Sequence, residues 1–149
     1  MPLSNILNRK AVIIDLEARD RFDAIEKLIN VLSGSGGISA DKKPLVLSEV
    51  IEREKLMATG MDHGVAVPHA MIAGIDEEIA AFARAKGPVD FKAHDGKPSD
   101  LIFLLLIPQD PVIPHVRTLS RIVRLLGSEE IRRFIRRADT AEEIYEVFC

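Results

Sequence analysis

The sequence predicts an α/β sandwich, a small mixed β-sheet flanked by helices and folded as a single domain over residues 1–149. Three observations carry this. Short β-branched or wholly apolar runs are interspersed with stretches whose apolar residues recur at helical spacing, as in helices packed on a sheet. No repeat, low-complexity tract or linker divides the chain. Its 149 residues make about one domain, enough to bury roughly 68–70% of the surface exposed by the unfolded chain.

Each element follows from its own pattern. Ala11 to Leu16 (AVIIDL) is a β-branched run and reads as the first strand. Asp20 is placed to cap a helix carrying Phe22, Ile25, Leu28, Ile29 and Leu32 on one face, which stops at Gly34-Ser35-Gly36-Gly37. A second helix spans about Lys43 to Lys55, with Leu45, Val46, Val50 and Ile51 inward. Gly60 to Ala70 is too rich in Gly and Pro to continue it and becomes loop or short strand. Ile79 to Ala85 and Leu101 to Ile107 are strands separated by a turn at Ala93 to Ser99. The second is apolar throughout, which places it centrally in a sheet covered on both faces. A helix beginning near Pro114 carries Val116, Leu119, Ile122, Val123 and Leu126 at helical spacing, with Arg117, Arg121 and Arg124 elsewhere on its circumference. Two helical pieces finish the chain. One runs from Ser128 to Arg136; the other opens on Thr140-Ala141-Glu142-Glu143, a capping-box pattern, and buries Ile144, Val147 and Phe148.

Composition narrows the function. With 47% hydrophobic and 29% charged residues the chain fits a globular protein and not disorder, collagen or coiled coil. Its 20 Lys+Arg against 23 Asp+Glu lack the basic excess of a phosphate-neutralising protein, so no nucleic-acid partner is expected. The longest apolar run, Leu101 to Ile107, is far short of the ~20 residues of a membrane helix, and MPLSNILNRK lacks a signal peptide's apolar region. A cytoplasmic protein without membrane insertion is expected. The single cysteine, Cys149, rules out an intrachain disulfide and a Cys-rich zinc site, and its terminal place makes it a poor nucleophile. No H-x-x-x-H or HExxH pattern sets two histidines on one helix face, so neither metal nor other cofactor is expected.

The four histidines are not equivalent. His69 follows Pro68, which restricts the backbone, and precedes the small Ala70, which leaves room for a large partner. His115 follows Pro114 at a helix start, where unpaired N–H groups and the helix dipole favour an anion. Two such histidines brought together with an arginine suit phosphoryl chemistry: one neutral imidazole attacks while the other groups stabilise charge on the transferred group. His63 beside Asp62 reads as a solvated loop pair rather than a site-edge residue, and His94 lies in a turn without a role. The arginines of Ile131 to Arg137 read as the solvated face of an amphipathic helix.

Arg53-Glu54-Lys55, Ala58-Thr59-Gly60 and His63-Gly64-Val65-Ala66-Val67-Pro68-His69-Ala70 resemble the active-site segment of the fructose/mannitol/nitrogen-regulatory EIIA domains of the bacterial phosphoenolpyruvate-dependent phosphotransferase system. Asp95-Gly96-Lys97-Pro98 leading into Leu101 to Pro108, then His115-Val116-Arg117 to Leu126, resemble the family's central strand and the helix bearing its second histidine. The likeness runs from about Leu16 to Phe148. It implies that His69 is the phosphorylated nucleophile, that His115 is the supporting histidine, and that Arg53 supports the phosphoryl group or His69. It further implies a phosphotransferase component, incomplete as an enzyme by itself. That component takes a phosphoryl group from the carrier protein HPr or a paralogue and passes it to an EIIB domain. The alternative is a nitrogen-type regulator that binds target proteins according to its phosphorylation state, without sugar transport. Two positions depart from the family pattern: Asp62 stands where glycine is usual and brings a carboxylate near the expected site, and Met71 replaces a common basic residue.

Overall fold

The computed structural model describes the backbone of residues 2–109 and 115–149, and the side chains of all of these except residue 115. Among the described residues five strands form one mixed sheet. β1 (Leu7–Leu16) runs parallel to β4 (Ile79–Val89), and β4 pairs antiparallel with β5 (Ser99–Pro108). β2 (Val65–Ala66) and β3 (His69–Ile72) both lie parallel to the other edge of β5. On one face sit α1 (Arg21–Gly34) and α2 (Lys43–Leu56); on the other sit α3 (His115–Leu126), α4 (Glu129–Arg137) and α5 (Ala141–Val147).

The unbroken apolar run of β5 is explained by this layering. Successive strand residues point to opposite faces, so Ile102, Leu104 and Leu106 join the core under α1 and α2 while Leu101, Phe103, Leu105 and Ile107 join the one under α3 to α5. In the second core the rings of Phe82, Phe103 and Phe148 meet tilted or edge-on at centroid separations of 5.3 to 6.3 Å. The Asp20 and Thr140 caps form where expected, accepting from the Asp23 amide at 2.8 Å and from Glu143 at 3.2 Å, and Ser128, read as the first residue of its helix, caps it instead by accepting from Ile131 at 3.3 Å. Each side chain satisfies an amide that the first turn leaves without a partner.

The structure corrects several boundaries and faces. β1 begins at Leu7 rather than Ala11, because it is an edge strand on which Arg9 and Lys10 stay in solvent. β4 runs on past Ala85 to Val89. Leu45 is not inward but 43% exposed; α2 buries Val46 and Val50 as expected, and with them the carboxylate of Glu54. On α3, Ile122 and Leu126 are buried, whereas Val116 is 72% exposed and Val123 is also exposed. The arginines of α4 are not uniformly solvated: Arg132 is buried, and Arg136 grips Asp100 through Nε and Nη2 at 2.9 and 2.8 Å. Among the described residues no helix is long and apolar enough to cross a membrane.

Candidate functional site

β2 and β3 are one edge strand of β5 broken at Val67-Pro68. Pro68 has no N–H to give, but its carbonyl accepts from the Leu105 amide at 3.0 Å, so β5 keeps its partner across the break. His69 resumes the strand opposite Leu105, with a half-buried ring whose Nδ1 lies 2.8 Å from the Val67 carbonyl. A carbonyl only accepts, so Nδ1 carries the proton and donates it there. In the neutral ring Nε2 then holds the lone pair, and Arg53 Nη2 lies 3.5 Å from it.

Arg53 reaches His69 across 16 residues because the chain between them doubles back. At the end of α2, Arg53 Nη1 donates to the Met57 carbonyl at 2.8 Å, satisfying an acceptor that the last turn leaves open. The following segment is then zipped onto β2: Val67 N–H donates to the Thr59 carbonyl at 3.2 Å, and Met61 N–H to the Val65 carbonyl at 2.7 Å. Met61, Val67, Leu119 and Val123 complete an apolar collar around Arg53 and His69. Charge interactions are strengthened in such surroundings.

Glu54 is the functional-site neighbour for which the sequence assigned no role. Its side chain is 1% exposed beside Arg21 and accepts from Thr59 twice, from the amide at 3.0 Å and from Oγ1 at 2.6 Å. It thereby fixes the link between α2 and the doubled-back segment. Burial raises its pKa from the usual 4.5, against the lowering pull of the Thr59 bonds and of Arg21. A carboxyl whose folded pKa is raised holds more protons folded than unfolded, so its share of stability is full below 4.5 and is lost as pH rises through the folded value. We predict that the unfolding free energy of the wild type, relative to Glu54→Gln, falls as urea titrations are moved upward in pH across that window. A difference that rises with pH would contradict it.

Gly60 is required by close approach. An added Cβ would lie 2.5 Å from the Phe91 carbonyl oxygen, to which Gly60 also donates its amide at 3.2 Å. Gly60→Ala should lose about 1–3 kcal/mol in urea unfolding, and an unchanged midpoint would show that this contact can relax.

The other candidates separate. His115 is the first residue of α3, and its side chain lies outside the described residues; Leu119 and Val123 of the same helix line the site. His63 is exposed, as expected, but its backbone is fixed at φ +67°, with its amide donating to Asp95 at 3.0 Å and its carbonyl accepting from Arg136 at 2.7 Å. His94 is exposed in a turn. Among the described residues no group of three or more His, Cys, Asp or Glu is assembled to hold a metal ion.

Comparison with known proteins places this geometry. The family model described as "Phosphoenolpyruvate-dependent sugar phosphotransferase system, EIIA 2" matches residues 5–149. The chain belongs to this EIIA family. A nitrogen regulatory protein of Bradyrhizobium diazoefficiens is 31% identical over 149 residues, covering 100% of this chain and 95% of the relative. The crystal structure of nitrogen regulatory protein IIA-Ntr from Neisseria meningitidis superposes with a TM-score of 0.88 at 31% identity, over 99% of each chain. Enzyme IIAMtl of Escherichia coli, solved in complex with phosphorylated enzyme IIBMtl, shares the fold with a TM-score of 0.76 at 16% identity, over 95% of each chain. This EIIA chain is accordingly a phosphocarrier component of the phosphotransferase system. Of the two departures from the family pattern, Asp62 is exposed and is not among the residues lining the depression around His69, although its neighbour Met61 is. Met71 is exposed two residues beyond His69.

Proposed function

We propose that this EIIA protein carries its phosphoryl group on Nε2 of His69. The observation that carries the reading is the pairing of Nδ1–H with the Val67 carbonyl, which leaves Nε2 as the lone-pair nitrogen beside Arg53. In the proposed step the Nε2 lone pair attacks the phosphorus of a phosphohistidine on HPr or a paralogue. The N–P bond of the donor breaks and its electron pair stays on the donor nitrogen. Nδ1 keeps its proton on Val67, so the phosphorylated ring is cationic and Nε2 departs as a neutral imidazole when the group is passed on. Arg53 offers its guanidinium to the phosphoryl oxygens, and His115 takes the supporting role. Exposed Leu56 and Met57 at the end of α2, with Met71 beyond His69, give a partner apolar surface around the reacting nitrogen. The complex of the mannitol relative with phosphorylated IIB supports an EIIB domain as acceptor. The protein needs no metal or cofactor for this chemistry, works in the cytoplasm, and forms one EIIA domain over residues 1–149.

A second reading is favoured by the full-length similarity to nitrogen regulatory proteins: the same phosphorylation selects which target protein is bound, without feeding a sugar. The test is incubation with phosphoenolpyruvate, enzyme I and HPr, followed by assay for acid-labile phosphate and capture of what each phosphoform binds. Labelling with onward transfer to an EIIB domain supports the carrier; labelling with phosphoform-dependent capture of another protein supports the regulator. No labelling overturns both.

A further inference from the structure

Arg132 lies on a helix whose other arginines reach solvent, yet it is only 7% exposed. Its Nη1 donates to the Leu126 carbonyl at 3.0 Å, its Nε is buried without a hydrogen-bond partner, and among the described residues it makes no ion pair. A buried guanidinium without an ion-pair partner is costly unless something compensates its charge. This one is not sealed in. It forms part of the wall of an open cavity of about 420 Å³ beside the start of β5, with Lys97, Arg136, Asp100, Glu129 and His63.

The acids of that cavity are already engaged. Asp100 accepts both arms of the Arg136 fork, and Glu129 accepts from Arg133 at 3.0 Å. Gly64, at φ +81°, lets the fork seat against the backbone: a Cβ there would lie 2.6 Å from Arg136 Nη2 and 2.7 Å from Asp100 Oδ1. Among the described residues two cations of the cavity form no ion pair, the buried Arg132 and the exposed Lys97, whose charge adds to the His63 amide bond in holding the Asp95 carboxyl low. A guanidinium and an ammonium lining one cavity suit an oxyanion carrying up to two negative charges.

We propose that this cavity is a binding site for phosphate, free or as a small phosphomonoester, with Arg132 as the buried anchor and Lys97 as the solvent-side contact. It is separate from the His69 site and does not rest on the phosphocarrier reading. The test is a titration of the full chain with inorganic phosphate at constant ionic strength, followed by amide ¹H–¹⁵N shifts. Saturable shifts are expected at Gly64, Lys97 and Asp100, and they should persist in His69→Ala. Arg132→Met, which keeps the buried volume and removes the charge, should abolish them, and Lys97→Ala should weaken binding about tenfold, the loss of one charge-assisted contact. A parallel titration with glycerol 3-phosphate separates the sources: tighter binding identifies an ester ligand, equal or weaker binding identifies free phosphate. Shifts that climb without saturation, gather about His69 alone, or survive Arg132→Met overturn the proposal. If Arg132→Met does not fold, Lys97→Ala decides, and unchanged affinity in that variant overturns it.

Discussion

His69→Ala is expected to reduce phosphoryl acceptance from HPr to background. In the assay with phosphoenolpyruvate, enzyme I and HPr, the wild type should accumulate acid-labile phosphate on one histidine and the variant none. The size of the effect follows from the covalent role: no neighbouring group can replace the lone pair of Nε2. The fold should survive, because His69 is half-buried at the start of an edge strand whose pairing with β5 is made by backbone groups. A stability change within about 2 kcal/mol, read from urea unfolding, separates lost chemistry from lost structure. His115→Ala is the informative companion. It should slow phosphorylation or shorten the life of the phosphoform while leaving His69 able to accept. Acceptance that survives His69→Ala and fails in His115→Ala would reverse the assignment.

What the sequence made legible depended on whether one element explained each residue. The Asp20 and Thr140 caps and the apolar run of β5 are local patterns, and they appear in the structure as read. The misread positions answer to partners distant in sequence. Apolar spacing on α2 selected Leu45 because periodicity recognises only apolar burial, and the position buried instead is a carboxylate that meets Thr59 and Arg21. On α3 the same spacing placed Val123 in the core, whereas it is exposed and lines the depression around His69. An apolar collar and an apolar core look alike in one dimension. His69 stood out through its flanking Pro68 and Ala70, but the tautomer rests on the Val67 carbonyl, which only the break between β2 and β3 turns toward the ring. The burial of Arg132 had no signal among the seven arginines of α3 and α4; it follows from how α4 packs behind Leu126.

Arg53→Lys should slow phosphoryl transfer by about a hundred- to a thousand-fold, the usual cost of losing one preorganised donor to developing charge. Charge is conserved in this substitution, so the expected loss is one of geometry. The guanidinium holds two positions from one rigid plane: Nη1 donates to the Met57 carbonyl at 2.8 Å, and Nη2 stands 3.5 Å from His69 Nε2. A lysine ends in a single nitrogen on a flexible stem and can occupy either position but not both. If the ammonium takes the Met57 carbonyl, Nε2 and the incoming phosphoryl oxygens lose their donor; if it turns to the phosphoryl group, it must leave the helix end and give up the orientation fixed there. The deficit should appear in the single-turnover rate at saturating phosphorylated HPr, because the missing contact is made to the group in transfer rather than to the docking surface. Arg53→Ala should be slowed at least as much, with its urea midpoint changed little. An Arg53→Lys protein that transfers at the wild-type rate would show that positive charge alone suffices, and the fork would then have no part in the chemistry.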